Sequence, residues 1–95
     1  KKFVEGGFIE QMEQALTNIA EIVRAAGGEV EDIGRLTWFV TDKAEYLAKQ
    51  REVGKAYQRV FGKHFPAMSM IIVNDLIEDE AMIEIEATAY INLNT

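Results

Sequence analysis

The sequence predicts an α+β fold, with two helices packed on one face of a small mixed β-sheet. Three observations predict it. The patterns follow in the order helix–strand–helix–strand–strand. The first helical stretch carries a single apolar stripe at spacings of three and four. The last strand alternates between apolar and mixed positions without a break. The chain has 95 residues, which suits one domain; 48% are hydrophobic, enough for a core, and 27% are charged, enough for a solvated surface.

The first helix is expected from about Phe8 to Ala26. Ile9, Met12, Leu16, Ile19, Ala20 and Val23 form its stripe, and Glu10, Glu13 and Glu21 lie off it. Gly27-Gly28 stops it, since glycine takes the left-handed conformation that closes a helix. Gly34 to Val40 is rich in β-formers and apolar on both faces, as a central strand is. Asp42 can cap the second helix, with Glu45 three residues later as in a capping box. Tyr46, Leu47, Gln50, Val53, Gly54, Tyr57, Val60 and Phe61 trace its inner face, and Gly62 ends it. Pro66 opens a strand from Ala67 to Val73, at a position where a missing amide does little harm. Asn74 to Glu80 is a turn, and Ala81 to Leu93 the last strand. On it Ile83, Ile85, Ala87, Ala89 and Ile91 form a core face. Met82, Glu84, Glu86, Thr88 and Tyr90 form a face half carboxylate and half apolar, suited to a subunit interface carrying a site. The first two strands, joined by a helix, should be parallel with a right-handed crossover. The last two should form an antiparallel hairpin.

Charge and composition exclude several functions. The net charge of −6, from 10 basic against 16 acidic residues, disfavours nucleic acid as a partner. Lys49, Arg51, Lys55, Arg59 and Lys63 read as a solvated helix face. There is no cysteine, and so no disulfide, thiolate nucleophile or zinc–sulfur site. His64 is the single histidine, expected at the surface, so no histidine-based metal site is expected. No apolar run approaches the length of a membrane span, and no signal-peptide pattern follows Lys1-Lys2, so a soluble cytoplasmic protein with no membrane partner is expected. Gly6-Gly7 and Gly27-Gly28 are turn and cap glycines and make no phosphate loop. Ser69 has no base beside it in sequence, which argues against a serine nucleophile.

The last third of the chain resembles the RidA family, the reactive-intermediate deaminases, also labelled endoribonuclease L-PSP. That family carries Pro-Ala-Arg-Ser, an apolar strand, a leucine soon after, a short turn, then an aliphatic residue and Glu-Ile-Glu-Ala. Here stand Pro66-Ala67-Met68-Ser69-Met70-Ile71-Ile72-Val73, then Leu76, then Ile83-Glu84-Ile85-Glu86-Ala87. Glu10 to Ile19 looks like the family's first helix. Ala25-Ala26-Gly27-Gly28, Trp38-Phe39-Val40 and Asp42 follow in register, and Tyr57 and Phe61 match the end of the second helix, although the stretch from Asp42 to Tyr57 looks about one turn longer than usual. The resemblance implies a chorismate-mutase-like fold lacking the family's first two strands, so that residues 1–95 form a single, N-terminally incomplete domain. It implies that a missing strand would lie along the Ala81–Leu93 strand, left here as an apolar edge.

The resemblance also implies a chemistry. Members hydrolyse enamines and imines to a keto acid and ammonia, with no metal or organic cofactor, at pockets between the subunits of a homotrimer. The catalytic glutamate would be Glu84. The substrate-binding segment would be Met68, Ser69 and Met70, with the Met70 backbone amide polarising the reacting end. The family's arginine at position 68, which grips the substrate carboxylate through paired charge-assisted hydrogen bonds, is methionine here. Each such bond is worth roughly 1.5–3 kcal/mol. Losing two should weaken binding of a small carboxylate by about a hundred- to ten-thousand-fold. Arg35, Lys63 and His64 are the nearest replacement cations in sequence. On period-two reasoning Met68 and Met70 share one face of their strand, and Met68, Glu84 and Tyr90 should face the subunit contacts. Two further readings stand beside a hydrolase of altered specificity with weak or absent 2-iminobutyrate activity. One is a non-catalytic, small-molecule-binding or regulatory trimer. The other, a ribonuclease or translation inhibitor, fits the acidic balance least.

Overall fold

The computed structural model describes residues 7–92. Helix α1 spans Phe8–Ala25 and buries Phe8, Gln11, Met12, Leu16, Ala20 and Val23. It ends as expected. Gly27 has φ 97°, and the Gly28 amide donates back to the Val23 carbonyl at 2.9 Å, the closing bond of a Schellman motif. A side chain on Gly28 would also collide with Asp32 and Ile91. A single 3₁₀ turn, Val30–Asp32, leads into β1, Ile33–Val40. The expected second helix is two: α2, Lys43–Ala48, and α3, Gln50–Phe61, broken at Lys49. Asp42 caps α2 by accepting from the Glu45 amide at 3.0 Å. The break leaves Leu47 exposed and sets the Tyr46 ring edge-on to Phe8. The buried face of α3 is Val53, Ala56, Tyr57 and Phe61, and Gly62, at φ 61°, ends it. Strands β2, Ala67–Ile72, and β3, Ile83–Ala89, complete the elements of the described residues; Leu93, assigned to the last strand, and Gly6 lie outside them.

The sheet order is β2-β1-β3. Strand β1 is central, as its two apolar faces require, and it pairs with β2 in parallel. The expected hairpin does not form: β3 pairs antiparallel with β1, not with β2. The reason lies in the connection, positions 73–82, which is much longer than a hairpin loop of 2–5 residues. It passes the end of β1. The Val73 amide donates to the Val40 carbonyl, and the Thr41 amide to the Met82 carbonyl. Gln11, buried on α1, pins this connection: its side chain donates to the Glu80 carbonyl at 3.0 Å and accepts from the Met82 amide at 2.8 Å.

The core lies between the helices and one face of the sheet, where Leu36, Trp38, Val40, Ile83 and Ile85 are buried with the inner faces of α1 and α3. The Tyr57 ring stacks on Phe65 and Trp38, and its hydroxyl donates to the His64 carbonyl at 2.6 Å. His64 is half-buried and bonded through Nε2 to the Ile33 carbonyl at 2.8 Å, so it is a structural tie and not the surface residue expected. Among the described residues no helix is long and apolar enough to cross a membrane.

Candidate active site

The face of the sheet turned away from the helices is a small grid set by register. Its three rows are Ala67–Arg35–Thr88, Ser69–Thr37–Glu86 and Ile71–Phe39–Glu84, each read from β2 through β1 to β3. Side chains at registered positions share a face, and the face changes with every residue. The end at Arg35 and Thr88 is polar; the other sets Ile71 and Phe39 beside Glu84. At the polar end the Arg35 guanidinium donates to Ser69 Oγ at 2.6 Å. Beyond it a β-bulge between Ile33 and Arg35 places Gly34 under the Tyr90 ring, where a Cβ would stand 3.3 Å from the ring carbon. Tyr90 is 75% exposed.

Met68 and Met70 fall elsewhere. They register with Leu36 and Trp38, so they lie on the helix-facing side, at the outer margin of the sheet. Met68 is 41% exposed and Met70 packs against the core. The expectation that Met68, Glu84 and Tyr90 share a face is therefore corrected: the parallel register puts Met68 opposite the other two. Met70 keeps one property the family chemistry needs. The Val73 amide points toward β1, and amides alternate along a strand, so the Met70 amide points away from β1. Among the described strands β2 is outermost, and that amide faces outward from the sheet edge.

Glu84 stands exposed beside Phe39 with no ion-pair or hydrogen-bond partner among the described residues. It does not meet the binding segment within one chain. Met70 and Ile85 both pair with Trp38, so Glu84 lies one residue and two strand spacings from Met70, about 10 Å away and on the other face. The structure thus brings Ser69 to Arg35 and leaves Glu84 apart. Arg35 was visible in the sequence only as a nearby cation; the register that joins it to Ser69 has no local sequence signal.

Three ion pairs lie away from this face. Arg59 binds Glu13 at 2.8 Å and holds its carboxyl below the usual range, while Lys49 pairs with Glu45 and Arg24 with Glu29. Burial pushes the Tyr57 hydroxyl up to about 12. Among the described residues no group of three or more His, Asp or Glu side chains could hold a metal. A concavity of about 670 Å³ lies along β3 and the Ile19–Ile22 face of α1; it is mostly apolar, lined by Ile83, Ile85 and Ala87, and Glu78 and Glu84 also line it.

Comparison with known proteins places this geometry. The RutC family protein UK114 of Drosophila melanogaster is 39% identical over 88 residues, covering 93% of this chain and 60% of that protein. The 2-iminobutanoate/2-iminopropanoate deaminase of Capra hircus is 35% identical over 88 residues, 93% of this chain and 61% of its own. The chain thus spans about three-fifths of the length of these relatives. The crystal structure of a YjgF/YER057c/UK114 family member from Mycobacterium tuberculosis superposes with a TM-score of 0.77 at 34% identity, over 93% of this chain and 71% of that one. Residues 1–91 match the family described as Endoribonuclease L-PSP, and with this match, these relatives and this fold the chain belongs to that family, the RidA family.

Proposed function

We propose that the protein is a hydrolase of imine or enamine intermediates, of altered specificity, working at pockets between the copies of a homotrimer. The observation that carries this reading is Glu84. It is a carboxylate without a partner among the described residues, on the open face of the sheet, at the matching position of the Glu-Ile-Glu motif. The outward amide of Met70 supports it. The Met70 amide points out of the sheet edge, and Glu84 stands on the open face about 10 Å away across two strands, so a pocket between copies takes Glu84 from one copy and β2 from another. In the reaction the Met70 amide donates to the substrate's polarised end. Glu84 takes a proton from water as the oxygen attacks the imine carbon and passes it to the nitrogen, giving a carbinolamine; it then carries the carbinol hydroxyl proton to the nitrogen as well. The carbon–nitrogen bond breaks, leaving a carbonyl compound and ammonia.

Met68 stands where the family's motif carries arginine. A thioether donates nothing and carries no charge, so the two-bond grip on a carboxylate is gone. That change favours a less polar substrate, and it also supports the second reading, a trimer that binds small molecules without turning them over. The test is ammonia release from imines generated in place, 2-iminobutyrate and an uncharged imine, measured over the spontaneous rate. Hydrolysis of the uncharged imine that disappears in Glu84→Gln is expected. Saturable binding of small molecules with no turnover of either imine would select the second reading.

A further inference from the structure

We infer that Arg35 is the cation that receives an acidic group of the substrate, from the open face of the sheet and not from position 68. The inference rests on the proposed site, and it names the group that decides whether acids enter it. Four observations lead there. Arg35 is the only cation in the three rows of the open face. Three other cations are engaged away from that face: Arg59 with Glu13, Lys49 with Glu45, and Arg24 with Glu29. The Arg35 guanidinium bonds to a neutral hydroxyl, Ser69 Oγ, and among the described residues to no carboxylate, so one of its five donors is used and the others are open. And Ser69 immediately precedes Met70.

That adjacency sets the distances. A serine Oγ lies about 3–4 Å from the next residue's amide nitrogen by covalent geometry alone. With Oγ 2.6 Å from the guanidinium, the charge comes within roughly 6–7 Å of the Met70 amide. Two hydrogen bonds of about 3 Å, one to a carboxylate oxygen and one to an adjacent imine or carbonyl, fit that span for a 2-imino or 2-keto acid. Ser69 acts as a positioning residue: it holds the guanidinium toward the sheet edge, while Arg35 supplies the charge. A guanidinium already sharing one donor grips more weakly than one free to bind in a two-bond fork, so acids remain poor ligands here, but what affinity they have runs through Arg35.

The test titrates the full-length protein with 2-oxobutyrate, a stable keto acid, following amide and methionine-methyl NMR shifts. Saturable binding at millimolar concentration is expected. Arg35→Gln should weaken it about tenfold or more, the loss of one charge-assisted contact. Arg35→Lys should retain part of it, Ser69→Ala should lose a smaller share, and Lys55→Gln, on the solvent side of α3, should change nothing. In turnover, Arg35→Gln should raise KM for 2-iminobutyrate more than it lowers kcat. Unchanged 2-oxobutyrate affinity in Arg35→Gln, or no binding by the unmodified protein, would overturn the inference. The two readings fail separately. Arg35-dependent binding without any ammonia release would remove the hydrolase and leave the cation. Glu84-dependent hydrolysis with affinity indifferent to Arg35 would do the reverse.

Discussion

Met68 sits at the outer margin of β2 and is partly exposed, which changes what a substitution there should do. From the sequence, Met68→Arg risks overpacking a closed pocket. At an open strand edge the longer side chain has room, and a change in stability within about 0.5 kcal/mol is expected, measured by urea unfolding. The same variant should gain 2-iminobutyrate hydrolysis, and the gain should vanish on adding Glu84→Gln. Glu84→Gln alone should lower turnover by about 10²–10⁴-fold with an unchanged circular dichroism spectrum, since Glu84 has no partner to lose among the described residues. Tyr57 gives a prediction on pH. Burial raises its hydroxyl from the ordinary 10.0 to about 12. A pKa higher in the folded than in the unfolded state gives stabilisation that is complete below pH 10 and is lost as pH rises from 10 through 12. Tyr57→Phe should flatten the melting-temperature decline across that window. It should also remove the bond to the His64 carbonyl, a loss of about 0.5–1.5 kcal/mol at neutral pH.

The elements were readable where the signal is local. The stripe of α1, its glycine stop, the cap at Asp42, the alternation of β3 and the central place of β1 all depend on residues within a few positions of each other. Features that depend on distant pairing were not. The break at Lys49 carries no glycine or proline. The hairpin expected of β2 and β3 fails because β3 crosses to the far side of β1, and with the parallel register of β2 the side chains of Met68 and Ser69 fall on faces that period two alone cannot assign. The candidate site was legible as residue types, Glu84 and the Met68–Met70 segment. The Arg35–Ser69 contact was not, because it spans 34 positions and depends on that register. Gln11 escaped notice because a polar residue on an apolar stripe reads as an interruption. It is a clamp, and Gln11→Leu should leave the Glu80 carbonyl and Met82 amide unmet, lowering stability by about 1–3 kcal/mol in urea unfolding.

At the scale of the whole molecule, one chain holds two half-sites that do not face each other. The outward Met70 amide and the Arg35–Ser69 pair lie on and beside β2, while Glu84 lies on β3. A ring of copies joins them if the β2 margin of each meets the open face of the next, a heterologous contact that closes at three. Two single variants separate the halves. Met70→Pro removes the outward amide without touching the bonds to β1, a change an edge strand tolerates. Glu84→Gln removes the carboxylate. Each alone should be close to inactive against the imine that the unmodified protein hydrolyses best. The two should then be mixed in equal amounts, dissociated and reassembled. A site shared between neighbours predicts recovery of about one quarter of the unmodified activity, the fraction of contacts that pair an intact amide with an intact carboxylate at random. Activity that stays at the sum of the two separate backgrounds, in a mixture whose copies have demonstrably exchanged, would contradict a site built from two chains.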